Sequence, residues 1–316
     1  MPDPVLILKA SAAAFILAAI AMLVGGWPWR RPRPIWIAAG GAIGLGVGLL
    51  AGAWLLGVPL RFPPREDLDR LLLVLLPAVV GVEVVSAVVR LRPVIAWSLR
   101  LMIAAGAARV LLHGSVYIAG SGDASATSPG QMWLMLAGLA LALIANWSLL
   151  DRLADRGAGR SVVLSLALTA GGAGTTVMLS GYATGGELGF PLAAGLVGAS
   201  AASLIFAETP DLRGAIGVGI VGLFSLLVVG RFFGNLTTAN LAVLLAAPLL
   251  AWLPELLPVR RAGPCARSVA RVVLVATPVA IVLILAAQKF SADSASSSAK
   301  PDASEPSSDD YMNFRK

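Results

Sequence analysis

A chain of 316 residues that is 58% hydrophobic and 13% charged, with a mean hydropathy of +0.85, is too apolar for a water-soluble fold, whose composition is nearer half apolar and a quarter charged. Its net charge of +7 comes from arginines in short clusters between apolar runs, not on one recognition element, so no nucleic-acid partner is expected. With one cysteine, Cys265, and one histidine, His113, an intrachain disulfide and any paired Cys/His zinc motif are excluded.

Crossing about 30 Å of hydrocarbon takes about 20 apolar residues of helix. Such runs recur at 5–24, 35–56, 71–89, 94–112, 132–150, 161–179, 188–207, 215–233, 239–257 and 268–287. The expected fold is therefore an all-α integral membrane protein. Residues 1–287 form one polytopic bundle of about ten transmembrane helices whose partner is the lipid bilayer.

The first run has no basic segment before it, holds Lys9 within it and is followed by Arg30, Arg31 and Arg33, the layout of a retained helix rather than a cleaved signal. In the second, Gly40, Gly44, Gly48 and Gly52 recur every fourth residue and make a side-chain-free ridge. Such a ridge packs closely against another helix, within the chain or in a second copy, or gives a transport helix its flexibility. Between the second and third runs, Glu66, Asp67 and Asp69 alternate with Arg61, Arg65 and Arg70. This pattern reads as a self-neutralised loop that starts the third helix, with metal-assisted chemistry on lipid-linked substrates as the competing reading.

The third and fourth runs carry Glu83 and Arg100. Glu83 precedes Arg90 by seven residues and Arg100 follows Arg92 by eight, so a tight turn at 90–93 puts both about 10–12 Å deep at ~1.5 Å per residue. A lone charge at that depth costs about 2.5–3.5 kcal/mol, so the two are expected to pair. Two roles fit the pair: a transport site for substrate or protons, or an ion pair that fixes helix packing. Near the outer end of the fourth run, Arg109 and His113 are one turn apart and share a face. They can meet an outer anion, a phosphate or carboxylate, or merely mark the interface.

Gly120 to Asp123 spell GxGD, but in a Gly/Ser-rich loop and without a second membrane aspartate to share its proton, so no protease is read from it. The seventh run, rich in Gly, Ala and Ser, is the least apolar, and losing it would reverse every later loop. Glu208 and Asp211 flank Pro210, where a carboxylate suits the start of the eighth helix. Glu255, between Pro254 and Pro258, marks a frayed end or carbonyls open to a ligand. Trp27, Trp29, Trp36, Trp54, Trp133, Trp147 and Trp252 are expected at the water interface. From 288 to 316 the chain becomes a Ser/Asp-rich tail, expected to be disordered.

Arginine placement supplies orientation. Loops after odd-numbered runs hold Arg30, Arg31, Arg33, Arg90, Arg92, Arg152, Arg156, Arg160, Arg213, Arg260, Arg261, Arg267 and Arg271; the opposite loops hold Arg61, Arg65, Arg70 and Arg231. Both chain ends are thus expected outside the cytoplasm, and the Ala/Arg/Gly bias points to a bacterial cytoplasmic membrane. No Walker A, HExxH or GxSxG sequence occurs, so neither catalytic residues nor a cofactor nor a metal is expected. The functional expectation is a small-solute transporter or permease. A non-catalytic membrane scaffold or assembly subunit is the alternative, followed by an enzyme on lipid-linked substrates, with the small-molecule or membrane-protein partner unidentified.

Overall fold

In the computed structural model of the chain, the described residues are 3–26, 34–89, 91–115, 129–206, 210–256 and 263–298. Among them the chain is helical and without strands. Among the described residues ten helices follow one another: α1 (Pro4–Gly26), α2 (Pro34–Leu55), α3 (Asp67–Val88), α4 (Pro93–Leu111), α5 (Pro129–Leu153), α6 (Gly159–Leu179), α7 (Ala183–Ile205), α8 (Arg213–Phe232), α9 (Thr238–Leu256) and α10 (Pro264–Ser298). Nine continuous stretches of the described residues are long and apolar enough to cross a membrane, and the longest of these, Gly130–Leu179, holds 50 residues. At ~1.5 Å per residue that is about twice the hydrocarbon thickness. It divides at Gly157, whose φ of +78° ends α5 and starts α6, so it supplies two passes. The protein is an all-α polytopic membrane protein.

Successive helices alternate in direction. At one end, the end of α5 meets the start of α8 through Asp155 and Arg213, and the end of α9 meets the start of α10 through Glu255 and Arg271. At the other, the Arg70 guanidinium donates to the His113 carbonyl, Tyr182 donates to Asp67, and Asn235 N–H donates to the Ser180 carbonyl.

Helix α8 is the axis of the bundle, with 89% of its span buried against 22% for α1. Burying a helix all round requires small residues where neighbours approach, and α8 offers Gly214, Gly217, Gly219, Gly222 and Gly230. The α2 ridge lies on α1: a Cβ at Gly44 would stand 2.7 Å from the Ala21 methyl and 2.9 Å from Ala18 Cα. One at Gly48 would stand 2.9 Å from the Ala14 carbonyl oxygen, and one at Gly40 2.7 Å from that of Ala21. Gly52 faces Pro191 of α7. These glycines are therefore used within the chain.

Two expectations are corrected. Helix α10 continues past Ala287 to Ser298; the segment holds no glycine or proline, and the Ser291 and Ser294 hydroxyls bond back to the Ala287 and Phe290 carbonyls. Residues 299–316 lie outside the described residues. Trp147 is not at the interface but fully buried, because its ring lies beneath the Arg100 guanidinium. Trp36, Trp54 and Trp133 are exposed, while Trp27, Trp29 and the GxGD tetrapeptide lie outside the described residues.

Candidate functional site: a buried charge cluster at one end of the bundle

The short connection from α3 to α4 places Glu83 and Arg100 side by side. Arg100 Nε donates to Glu83 Oε1 at 2.8 Å and Nη2 to Oε2 at 2.9 Å, the parallel two-bond geometry in which guanidinium and carboxylate match best. Glu83 is 3% and Arg100 6% exposed. The third guanidinium nitrogen, Nη1, donates to Asp151 Oδ2 of α5 at 3.1 Å. Two tryptophans cover the cation, with the Trp97 and Trp147 ring centres 4.9 and 5.4 Å from its central carbon.

The cluster continues toward the end of the bundle. Asp151 Oδ1 stands 4.0 Å from Arg213 Nε, and the half-exposed Arg213 also pairs with Asp155 and lies 3.7 Å from Asp211. Charges therefore alternate from inside the bundle outward: Glu83, Arg100, Asp151, Arg213, Asp155. Gly217 of α8 makes room for this array, since a Cβ there would meet Glu83 Cδ at 2.8 Å and Oε1 at 2.9 Å.

A cavity of ≈ 190 Å³ runs along the cluster, lined by Glu83, Ser86, Trp97, Arg100, Asp151 and Arg213 among others, and reaches the loop residues Leu91 and Asp211. Asp211 and Arg213 also border a second cavity of ≈ 560 Å³ at the same end, with Arg160, Ser161 and Cys265 on its wall.

The other residues singled out in the sequence are placed elsewhere. Arg109 lies over the Trp133 ring at 5.5 Å, and His113 offers its main-chain carbonyl to Arg70; both side chains are exposed. The acids at the start of α3 are largely occupied: Asp69 accepts from the main chain of Arg61, Arg65 and Glu66, and Asp67 Oδ2 accepts from the Tyr182 hydroxyl at 2.8 Å. Burial and the neighbouring Asp67 carboxylate push the Tyr182 phenol above its ordinary value. Asp211 Oδ1 accepts from the Arg213 main chain, and Glu255 pairs with Arg271. Glu208 lies outside the described residues. Among the described residues no three His, Cys, Asp or Glu side chains stand close enough to hold a metal.

Sequence reasoning missed Asp151, Arg213 and Gly217 as members of the site. The signal for Asp151 was present: α5 runs on to Leu153, so an aspartate one residue past an apolar run still lies within a helix. The chain matches no protein-family model, and no curated protein matches it.

Proposed function

We propose that this multi-pass membrane protein is a small-solute transporter or permease, and that its solute is handled at the Glu83, Arg100 and Asp151 cluster. The observation that carries the reading is the ≈ 190 Å³ cavity that reaches all three side chains from the end of the bundle. Ionisable groups are expensive in hydrocarbon and recur where a solute or ion path needs them. Here they come from three different helices, so relative movement of those helices changes the site. In the expected orientation the cavity opens to the cytoplasm of a bacterial cell, with both chain ends outside.

One observation favours the second reading, a non-catalytic scaffold: each side-chain nitrogen of Arg100 is already bonded to a carboxylate, as in a static lock between α3, α4 and α5. The enzyme reading has less support, because Asp67 and Asp69 are engaged in holding the start of α3.

Water access separates the first two. A single cysteine at Ala87, which lines the cavity, is introduced into a Cys265→Ser background and treated with a membrane-impermeant thiol reagent from each side. Labelling from the side that also reaches Leu91→Cys supports transport. Complete protection at position 87, with position 91 labelled, makes the cluster a dry lock and supports the scaffold.

A further inference from the structure

Charge and hydrogen bonding in the cavity select among solutes. Its wall carries three carboxylates, Glu83, Asp151 and Asp211, against two guanidinium groups, Arg100 and Arg213, which leaves one negative charge in excess. Each side-chain nitrogen of Arg100 already donates to a carboxylate oxygen, so an anion drawn to this guanidinium competes with two buried carboxylates that hold it.

The wall also holds unused acceptors. Asp151 is 6% exposed, yet its Oδ1 accepts no hydrogen bond, Arg213 Nε being 4.0 Å away. The Ser86 hydroxyl on the same wall is also without a hydrogen-bond partner. A buried carboxylate oxygen left unbonded is costly, and a ligand with N–H groups removes that cost.

We infer that the cavity takes a small organic cation bearing N–H donors, a primary ammonium ion, with Asp151 Oδ1 as its main acceptor and Ser86 Oγ as a second. This rests on the transport reading. The surplus negative charge is neutralised by the ammonium, whose protons satisfy the two unbonded oxygens.

The test is the thermal unfolding midpoint of the purified full chain in detergent, titrated with methylammonium, tetramethylammonium, potassium and acetate at matched ionic strength. Methylammonium is expected to raise the midpoint saturably, with the other three inactive. Ser86→Ala is expected to weaken its apparent affinity about tenfold, the worth of one hydrogen bond, and Asp151→Asn to abolish the response. Should Asp151→Asn fail to fold, the Ser86 variant and the solute series still decide. An equal response to tetramethylammonium or potassium, or a response to acetate alone, overturns the assignment. No response to any ammonium ion in a protein whose position 87 is labelled overturns the ammonium assignment and leaves transport standing. No response together with full protection at position 87 removes both.

Discussion

Arg100 shows how a single guanidinium organises its surroundings. It spends its planar fork on Glu83 and its remaining nitrogen on Asp151, and its two faces lie near Trp97 and Trp147. A lysine has neither the fork nor the flat faces, so it would not reproduce this site. At the other end Tyr182 plays a smaller part by donating to Asp67. Because the phenol is raised in the fold, it keeps its proton there at a pH where the unfolded chain has lost it. Its contribution is complete below about pH 10 and is lost as pH rises from there toward the folded value. Tyr182→Phe is therefore expected to lower stability by about 1 kcal/mol at neutral pH, with the gap to the parent protein narrowing above about pH 10. Thermal unfolding midpoints in detergent on either side of that pH measure it. A gap that widens at high pH would contradict the assignment of the proton.

Between helices, the decisive residues are small. The α2 glycines let α1 approach to backbone contact, where lipid offers no hydrophobic drive and close packing must supply the attraction. Gly44→Ala puts a methyl within 2.7 Å of the Ala21 side chain and 2.9 Å of Ala18 Cα, so the helices must separate; a loss of about 1–3 kcal/mol is expected. Gly138→Ala on α5 meets nothing within 4 Å and is expected to be neutral or to gain up to about 1 kcal/mol from helix propensity. Comparing the two midpoints tests the packing with the chemistry of the substitution held constant.

The same contrast explains what was legible beforehand. The glycine ridge and the Glu83–Arg100 geometry follow from local spacing, a period of four in one helix and a short turn between two. Asp151 and Arg213 belong to α5 and α8, and nothing local in either segment reports which helix stands opposite. Arg213 reads from the sequence as one more topology arginine because half of its side chain is in fact exposed. Gly217 is legible only once α8 is known to face α3.

At the level of the whole molecule, the alternation of helix direction brings several of the described loop arginines to one end. Arg156 lies over Trp252, Arg213 pairs with Asp155, and Arg271 pairs with Glu255 and donates to Ser161. Exposed Cys265, at the start of α10, borders the cavity that Asp211 and Arg213 also line. If the basic end faces the cytoplasm, an impermeant thiol reagent is expected to label native Cys265 in inside-out vesicles and to spare it in intact cells. Labelling in intact cells would invert the orientation and place the charged cavity on the outer side.

The central place of α8 also bears on how the molecule comes into being. Seven of the described helices precede it in the chain, yet the space it fills is walled by several of them, and Asp151 must wait for Arg213. Until α8 is made, no Gly217 stands beside Glu83 and no Arg213 beside Asp151. A chain released before residue 213 is thus a bundle without its axis. The array from Glu83 to Asp155 is complete only once α8 is in place, and the Glu255–Arg271 pair at the same end waits longer still, for α10.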